Sequence, residues 1–366
     1  MFLLRVTMVA AIVLICVLFS LSSAQESCEG RCGASLDQTL PCQCNGHCIT
    51  YGDCCDDYQH VCVEATCSGR CNAGLDSSKP CQCNTACVSH GDCCPDYDSL
   101  CAGGDAGKET LSSVADQLWN LDVNRVSVTD YDVSYQGQVS SSNTGDSAAG
   151  PFFRYVNEAI FSRPTFSRLI PLLDNYNPNI GESESLTSAQ WAEINSFLDE
   201  VLATSVMQKA YNYLLNEGKT TGTADFRDLL KELWFNLYPR SSSGPIDSSG
   251  FEHVVVGEYK NGVSGFHNWV QFYQEEKTNT IDYKGYVSRS NPEIVGAQFT
   301  WNGHRKSKGS FFVASSPEFD MAIYSICALM HPNAVCSFTM NGHSIRIQTW
   351  DVSHKSGAQI ASAYPL

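Results

Sequence analysis

Apolar residues recur every three or four positions in three stretches of the chain's central part, which is the spacing of a helix with one buried face. The repeating positions are Leu111, Val114, Ala115 and Leu118; Trp191, Ile194, Leu198, Val201 and Leu202; and Leu229, Leu230 and Leu233. Thr187 and Gln190 precede the second stretch in a capping-box pattern, and we expect its helix to end at Gly218. The pattern therefore predicts a helical first lobe.

After Pro245 the pattern changes to short segments rich in Val, Ile, Phe and Thr, which is typical of strands. The segments are Phe251–Tyr259, Val295–Trp301, Ser310–Ala314, Cys336–Met340 and Ser344–Trp350. Asn-Gly steps at 261–262, 302–303 and 341–342 predict hairpin turns, and one helix is expected at 317–330. In a strand, His253 would face away from Glu252 and Glu258. The predicted fold class is α+β, with helices first and an antiparallel β-rich lobe afterwards.

The first 24 residues have a different pattern. Arg5 precedes an apolar run over residues 6–21, and Ser22-Ser23-Ala24 follows, which predicts a secretory signal peptide cleaved after Ala24. The run is short for a membrane span, and no later stretch is apolar enough, so we expect no membrane anchor. The mature chain is therefore expected to be secreted and extracellular, where its thiols meet an oxidising compartment.

Sixteen of the 19 cysteines form two sets of eight that are related by a shift of 39 residues. They are Cys28, Cys32, Cys42, Cys44, Cys48, Cys54, Cys55 and Cys62, then Cys67, Cys71, Cys81, Cys83, Cys87, Cys93, Cys94 and Cys101. A unit of about 40 residues is too small for an adequate apolar core, so disulfides must stabilise it. The oxidising compartment, the adjacent cysteine pair and the lack of C-x2-C motifs disfavour zinc. Spacing alone does not choose among 105 possible pairings.

The spacing C-x3-C-x9-C-x-C-x3-C-x5-CC-x6-C resembles the somatomedin B domain over the whole of both repeats. The resemblance implies the bridges Cys28–Cys44, Cys32–Cys62, Cys42–Cys55 and Cys48–Cys54, and Cys67–Cys83, Cys71–Cys101, Cys81–Cys94 and Cys87–Cys93. Some members bind proteins through an apolar and acidic patch. The acidic pair is missing here, which favours a spacer or adhesive role, with an extracellular protein or polysaccharide as the partner.

Charge follows the same division. The whole chain of 366 residues has a net charge of −16, which argues against a non-specific duplex-DNA binder. Residues 25–107 contain 12 acidic and three basic residues and end in a glycine-rich stretch, 103–107, that predicts a linker.

We therefore divide the chain into a signal peptide, 1–24, two somatomedin B-like domains, 25–66 and 67–106, and a large domain, 107–366. Its two cysteines, Cys327 and Cys336, are expected to pair.

Two histidines and a lysine in the β-rich lobe form the set required to break an RNA phosphodiester. Of His253 and His267, one imidazole would take the 2′-OH proton and the other would protonate the leaving 5′ oxygen. The Lys306 ammonium would stabilise the charge that grows on the phosphate. From the residues alone, each histidine could equally be a buried structural one.

Longer motifs around these residues resemble the EndoU family. They are Gly250-Phe251-Glu252-His253, Gly257-Glu258, Ser264-Gly265-Phe266-His267-Asn268-Trp269, Asp282-Tyr283, Gln298-Phe299-x-Trp301, Lys306-x-x-Gly309-Ser310, Ser315-x-Pro317-Glu318-Phe319 and Ile360-Ala361-Ser362-Ala363-Tyr364. The resemblance implies a uridylate-specific endoribonuclease acting on single-stranded RNA, with an EndoU-like fold of the large domain.

The same resemblance implies a role for each site residue. His253 would be the acid, His267 the base and Lys306 the cation that stabilises the phosphate. Ser310 would contact uracil and Tyr364 would pack beside the base, with Ser362 nearby, where other members often have Thr. Aromatic packing on a base is usual in the recognition of single-stranded RNA.

Activity in the EndoU family is described as manganese-dependent, and calcium is proposed for some animal members. The resemblance therefore implies a divalent cation, Mn²⁺ or Ca²⁺, and no organic cofactor. Glu252 and Glu258 offer the hard oxygen donors that such a cation prefers. In the alternative, these two carboxylates only orient His253 and the neighbouring loops. The 2′-OH is itself the nucleophile, so the chemistry does not oblige a metal.

A rival hypothesis is an extracellular adhesion or scavenger protein whose large domain is not catalytic. The tandem cystine-rich domains favour it, because such modules commonly bind proteins or glycans. The presence of His253, His267 and Lys306 together weighs against it. Under either hypothesis we expect a monomer.

Overall fold

The computed structural model describes most of the large domain and parts of the cystine-rich region. The described residues are 27–28, 31, 34, 36–37, 39–45, 48–51, 53–58, 61–62, 66–67, 70–71, 74–77, 79–84, 86–94, 97, 101, 109–142, 144–241, 243–352 and 359–366. The predicted signal peptide and linker lie outside them. The chain divides into two compact units, Met1–Lys108 and Glu109–Leu366, which we describe separately.

Disulfides form the cores of the two repeats in the first unit. The structure contains the bridges Cys28–Cys44, Cys42–Cys55, Cys48–Cys54, Cys67–Cys83, Cys71–Cys101, Cys81–Cys94 and Cys87–Cys93. These are pairs that the somatomedin B resemblance implies, and the expected pair Cys32–Cys62 falls partly outside the described residues. One short helix lies in each repeat, α1 (Cys48–Tyr51) and α2 (Cys87–His90). Arg31 and Arg70 donate to backbone carbonyls in the same way, so the repeats are alike in structure as well as sequence.

The first half of the second unit is helical, as the apolar spacing predicts. Its helices are α3 (Leu111–Leu121), α4 (Pro164–Leu169), α5 (Ser188–Leu202), α6 (Ser205–Asn216) and α7 (Thr223–Trp234), with 3₁₀ turns at Glu158–Ser162 and Ile170–Asp174. Two further helices, α8 (Trp269–Lys277) and α9 (Pro317–Met330), lie among the strands. One short antiparallel pair, β1 (Tyr131–Val133) with β2 (Phe153–Val156), also belongs to the first half.

The second half contains antiparallel strands in three sheets. A short hairpin joins β3 (Glu258–Tyr259) to β4 (Val263–Ser264). One three-stranded sheet contains β5 (Ile281–Ser290), β6 (Ile294–Trp301) and β7 (His304–Phe312) in that order. The other has the order β10-β9-β8, from β8 (Val335–Met340), β9 (His343–Asp351) and β10 (Ile360–Pro365). The α+β fold class is therefore confirmed, and one continuous apolar core runs under both lobes.

At several turns and helix caps, the observed element boundaries agree with the predicted ones. The Asn-Gly pairs at 302–303 and 341–342 have positive φ angles, between 48° and 81°, which are the left-handed conformations that a tight hairpin turn requires. Ser316 caps α9, whose bounds agree with the predicted 317–330, and Cys327 pairs with Cys336. The predicted strand at 310–314 is the end of a longer one, β7. Seven elements of the described part of the large domain, α4, α8, β1, β2, β4, β5 and β10, were not predicted.

The predicted end of the helix that begins after Thr187 was wrong. The capping box between Thr187 and Gln190 is present, but the helix ends at Leu202. The Thr204 side chain accepts a hydrogen bond from the backbone of Met207 and so begins α6, because a well-placed cap starts a helix wherever it lies. Gly218 follows that second helix with φ 66°.

The predicted strand at 251–259 was also wrong. Residues Glu252–Val256 form one π-helical turn, and only Glu258–Tyr259 is extended. Every side chain of the turn is buried, so packing on all sides overrides the strand propensity of three consecutive valines. The Ser249 side chain caps the turn at Glu252, and Gly257, with φ 92°, ends it. Within the described residues, no helix is long and apolar enough to span a membrane.

Candidate active site

The two histidine segments are joined by their backbones. The amide of Phe266 donates to the carbonyl of His253 at 2.9 Å, and the amide of His267 donates to the carbonyl of Val254 at 2.7 Å. Gly265 has φ 63°, and a Cβ there would lie 1.8 Å from the His253 carbonyl oxygen. Only glycine fits this approach, which brings the two imidazole rings to a centroid distance of 6.3 Å.

His253 is held by a carboxylate and a guanidinium. Its Nδ1 lies 2.6 Å from Glu258 Oε2. Arg240 Nε donates to the other oxygen, Glu258 Oε1, at 2.8 Å, and Arg240 Nη2 contacts both Glu258 Oε2 and His253 Nδ1. His253 and Glu258 are buried and Arg240 is partly buried. Glu258 is thus the common partner of Arg240 and His253, and both of its carboxylate oxygens are used.

His267 has a backbone partner and an aromatic one. Its Nδ1 donates to the carbonyl of Ser310 at 2.9 Å, which leaves Nε2 as the nitrogen with the lone pair. The ring stacks on Tyr364 with a centroid distance of 4.6 Å and an interplanar angle of 17°. The imidazole is thus fixed in both tautomer and orientation.

Lys306 lies on β7 with 9% of its surface exposed. A Cβ at Gly309 would lie 3.0 Å from the Phe299 ring and 3.4 Å from Lys306 Cε, so a glycine there gives the lysine stem room to fold back. The charge of Lys306 contributes to lowering the pKa values of His253 and His267, so the ammonium lies near enough to act on both rings. The structure therefore brings all three predicted catalytic side chains together.

Burial sets the protonation states of these groups. Burial, and then the charge of Arg240, lower the pKa of His253 to about 4. Burial, and then the charge of Lys306, lower the pKa of His267 well below its usual value. Burial also lowers the pKa of Lys306 to about 8. At neutral pH both imidazoles are uncharged and Lys306 is mostly charged.

Two of the three predicted substrate-binding residues, Ser310 and Tyr364, contact His267. Ser310 is on β7, and its hydroxyl donates to the carbonyl of Pro365 at the end of β10. Ser362 and Tyr364 are two residues apart on β10, so they share one face of that strand. Because Tyr364 stacks on His267, this face adjoins the imidazole.

The two predicted metal ligands do not form a ready cation site. Both oxygens of Glu258 are taken by Arg240 and His253. Glu252 is fully buried, and burial, with the charges of Glu258 and Glu184 next, raises its pKa to about 11, so it is protonated at neutral pH. Among the described residues, the groups of three possible ligands within 4.8 Å of one another are Cys28, Cys44 and Cys55, and Cys67, Cys83 and Cys94. All six cysteines are in disulfides. The pair Glu252 and Glu258 therefore does not fit the cation that the resemblance implies.

Sequence reasoning missed two residues of the site. Arg240 stands in a serine-rich loop with no recognisable motif, 13 positions before its partner His253. Asn268 follows His267, caps α8 through Val270 and Gln271, and donates to Asp320 at 3.2 Å. An Asn before an apolar helical run is a cap signal that could have located α8.

Comparison with protein families assigns both parts of the chain. The family model described as Endoribonuclease XendoU matches residues 110–365, and the Somatomedin B domain model matches residues 26–65 and 65–104. The XendoU match spans more than half of the chain and contains every residue of the site described above.

Individual relatives share this organisation. A uridylate-specific endoribonuclease of Paralichthys olivaceus is 42% identical over 365 residues, covering 94% of each chain. One of Bos taurus is 36% identical over 357 residues, covering 94% of this chain and 78% of that protein. A solved structure of XendoU, described as a splicing independent snoRNA processing endoribonuclease, has a TM-score of 0.60 and 39% identity, and covers 70% of this chain and 96% of that one. The chain is therefore a member of the XendoU endoribonuclease family, with two somatomedin B domains before its endoribonuclease domain.

Proposed function

We propose that this endoribonuclease cleaves single-stranded RNA on the 3′ side of uridylates. The 2′-OH attacks the adjacent phosphorus and the 5′ oxygen leaves, so the products are a 2′,3′-cyclic phosphate and a 5′-hydroxyl. The observation that carries the proposal is the grouping of His253, His267 and Lys306 in one buried site, with the imidazole rings 6.3 Å apart. Two relatives named as uridylate-specific endoribonucleases support the choice of base.

His267 suits the general base. Its Nδ1 proton is committed to the Ser310 carbonyl, so Nε2 holds the free lone pair that takes the 2′-OH proton. Its lowered pKa keeps it unprotonated at neutral pH. The Tyr364 stack holds the ring in place while the proton moves.

His253 suits the general acid. Its Nδ1 faces the Glu258 carboxylate, which stabilises an imidazolium whose Nε2 proton can pass to the leaving 5′ oxygen. In the free protein burial and Arg240 keep this ring neutral. An approaching phosphate is negative and raises the pKa of a nearby imidazole, so substrate binding itself would load the acid with its proton.

Lys306 would stabilise the additional negative charge of the pentacoordinate phosphorane, since a preorganised cation in a water-poor site is most effective where charge develops. Ser310 and Ser362 would hydrogen-bond uracil, and the Tyr364 ring would pack beside it. No step of this scheme passes through a metal, because the pair Glu252 and Glu258 does not fit one.

We also propose that the protein acts outside the cell. The bridges within the two somatomedin B domains support this, because structural disulfides of this density persist in oxidising compartments. The domains would serve as a spacer or adhesive module toward an extracellular protein or polysaccharide.

Cleavage of an oligo-U and an oligo-A by the purified full chain, with and without Mn²⁺, tests the proposal. We expect cutting of oligo-U alone, with a 2′,3′-cyclic phosphate end visible by mass spectrometry. A single 2′-deoxyuridine at the cleaved position should be inert, because the nucleophile is missing. Cleavage of that substrate would identify a nuclease that uses water, and no cleavage of any RNA would favour the adhesion or scavenger hypothesis.

Alanine variants of the three catalytic candidates test their roles. His253→Ala, His267→Ala and Lys306→Ala should each reduce the rate by about 100-fold or more. Arg346→Ala, which removes an exposed cation on β9, is the matched control for a general loss of positive charge. Full activity in one of the three variants would remove that residue from the mechanism.

A further inference from the structure

Strand β7 carries a second lysine close to the site, Lys308, which the proposed mechanism does not use. It stands two positions after Lys306 and two before Ser310. Its side chain is partly buried, and it makes no hydrogen bond and no ion pair with the described residues. Burial lowers its pKa, and no carboxylate of the described residues offsets this change. In a chain with a net charge of −16, such a cation beside the active site requires an explanation.

A β-bulge in β7 decides which way Lys308 faces. On β6, Ala297 and Phe299 are two positions apart. Their partners on β7, Gly309 and Lys306, are three positions apart. One extra residue therefore lies in β7 between these pairs, and it reverses the alternation of side chains beyond it. Without the bulge, Lys306 and Lys308 would share one face of the sheet.

The surroundings of two glycines show that the two lysines lie on opposite faces. A Cβ at Gly309 would lie 3.4 Å from Lys306 Cε. A Cβ at Gly296 would lie 2.6 Å from Lys308 Cε. Gly296 pairs with Ser310, and residues that pair across two strands have their side chains on the same face, about 5 Å apart. Lys308 thus shares the face of the proposed uracil contact, and Lys306 lies on the other face.

Gly296 also brings a hydroxyl beside Lys308. A Cβ at Gly296 would lie 2.5 Å from Ser288 Oγ, on β5, so a larger residue there would displace the serine or the lysine stem. Ser288 is partly buried and makes no hydrogen bond within the part of the chain that the structure describes. An ammonium and a hydroxyl side by side, neither of them bound to protein, are donors that suit a phosphate.

Arg305, the other cation on this face of β7, is already bound. It precedes Lys306 by one position and so faces away from it. Its guanidinium donates to the carbonyl of Ser141 at 3.0 Å. Arg305 therefore holds a neighbouring loop, whereas Lys308 is partly exposed and lies closer along the strand to the uracil contact.

We propose that Lys308, with the Ser288 hydroxyl, binds the phosphate on the 5′ side of the uridylate whose base contacts Ser310. The assignment rests on the proposed function, in which Lys306 acts on the scissile phosphate on the 3′ side. A uridylate within RNA has one phosphate on each side, and the site has one lysine on each face of β7. Because Lys308 shares the face of Ser310 rather than that of Lys306, it suits the phosphate that is not cleaved.

This contact determines which uridylates the enzyme prefers. A phosphate that takes no part in the reaction is bound equally in the ground state and the transition state, so the contact lowers KM and leaves kcat unchanged. A uridylate inside an RNA strand has this phosphate, and one at a 5′-hydroxyl end lacks it. The enzyme should therefore cleave after internal uridylates in preference to a 5′-terminal one.

Binding of two mononucleotides to the full chain tests the assignment without cleavage. Uridine 5′-monophosphate carries its phosphate at the proposed subsite, and uridine 3′-monophosphate carries it at the scissile position. Lys308→Met keeps the apolar stem over Gly296 and removes the charge. By NMR titration we expect its affinity for the 5′-nucleotide to fall about 5-fold or more, with that for the 3′-nucleotide unchanged.

Three further variants make this measurement specific. Lys306→Met should show the reverse pattern, and Lys308→Arg, which keeps the charge, should retain most of the affinity for the 5′-nucleotide. Lys219→Met, which changes an exposed lysine of the helical lobe, is the matched control and should bind both nucleotides as the natural chain does. Equal losses for the two nucleotides in Lys308→Met, or no loss, would overturn the proposal.

Cleavage of dinucleotides tests the same contact during the reaction. UpU has no 5′ phosphate, pUpU has one, and UpUp has an additional phosphate on the 3′ side instead. The 5′ phosphate should lower the KM of the natural chain about 5-fold, should not lower that of Lys308→Met, and should leave kcat alike. A 5′-phosphate effect that survives in Lys308→Met, or a change confined to UpUp, would contradict the assignment.

The subsite and the proposed function can fail separately. Loss of affinity for the 5′-nucleotide in Lys308→Met, without cleavage of any RNA by the natural chain, would support the subsite and remove the reaction. Cleavage of oligo-U, with unchanged nucleotide binding in Lys308→Met, would do the opposite. Failure of the natural chain to bind the 5′-nucleotide more tightly than uridine would also overturn the subsite.

Discussion

The phenol ring of Tyr364 lies on the imidazole ring of His267, with centroids 4.6 Å apart and planes 17° from parallel. A second link between His267 and β10 runs through β7, because the Ser310 carbonyl accepts from His267 while the Ser310 hydroxyl donates to the Pro365 carbonyl. The proposed base and the proposed uracil-binding residues therefore form one connected unit. A change in β10 should act on the chemical step as well as on substrate binding.

Substitution of Tyr364 tests this connection. Tyr364→Ala removes the stack, so we expect kcat to fall about 10-fold to 100-fold in addition to a rise in KM, because His267 loses its orientation. Tyr364→Phe keeps the ring and should retain most of kcat. Tyr155→Ala, which removes an aromatic residue with 52% of its surface exposed, is the control. A rise in KM with no change in kcat in Tyr364→Ala would show that the tyrosine contacts only the uracil and does not orient His267.

Removal of the Arg240 charge should raise the pKa of His253. Burial is the main cause of its value of about 4, and Arg240 is the next. In Arg240→Gln we expect the pKa to rise toward the ordinary 6.5, since Glu258 remains beside the ring and favours the imidazolium. NMR titration of the His253 Cε1 proton measures it, with Arg346→Gln as the control. An unchanged titration would mean that burial alone sets the value.

Activity should fall at alkaline pH as Lys306 loses its proton. Burial lowers the pKa of Lys306 to about 8. Lys306 is fully protonated well below that pH and loses its proton as the pH rises through it. We therefore expect kcat/KM to decline above about pH 8, and not only near the pKa of an ordinary lysine. In Lys306→Arg the guanidinium stays charged, and the decline should be absent although the rate is lower. Circular dichroism over the same pH range must show an intact fold, and a decline shared by both proteins would assign it to another group.

Gly265 should be the most sensitive glycine of the site. Its φ is 63°, and a Cβ would lie 1.8 Å from the His253 carbonyl. Gly265→Ala should therefore lower the free energy of unfolding by about 3 kcal/mol or more, through backbone strain and overpacking together. Gly303 has a similar φ of 81° but open space around it, so Gly303→Ala should cost about 1 kcal/mol. Urea unfolding compares the two, and equal costs would mean that the clash is relieved by movement of the chain.

The endoribonuclease domain should act without the somatomedin B domains. A chain that begins at Lys108 contains all the matched catalytic residues, so its kcat on oligo-U should be nearly unchanged. At low ionic strength its KM should fall modestly, because the acidic region no longer repels the RNA, and screening over about 8 Å removes that effect at physiological salt. A shortened chain that is folded by circular dichroism but inactive would contradict this independence.

Much of the architecture could be read from the sequence because its signals are local. The two Asn-Gly turns, the Ser316 cap before Pro317 and the Thr187 capping box act within four or five residues, so tertiary packing had little to change. The repeat of eight cysteines shows the duplication directly, although the bridges themselves required a resemblance. The grouping of His253, His267 and Lys306 likewise rested on the EndoU motifs.

Where tertiary contacts competed with local preference, the sequence alone misled. Three consecutive valines predict a strand at 254–256, but burial on every side and the Ser249 cap form a π-helical turn there instead. That turn changes which way His253 faces, and so which groups can reach it. Local propensity is worth at most about 1 kcal/mol per residue, which packing readily exceeds.

Charge states were decided by the tertiary structure alone. Glu252 and Glu258 are both glutamates near one histidine, yet one is protonated within the core and the other is ionised between Arg240 and His253. The partner of the buried Glu318 carboxylate is similarly distant, since Asn124, which donates to it, lies 194 positions away in the chain. The sequence by itself determined the residue types, the turns, the caps and the repeat. Contacts between remote segments alone decide which carboxylates lie beside a positive charge and which lack a hydrogen-bond partner. The reason is that the free energy of a buried charge depends on its immediate surroundings and not on its neighbours along the chain.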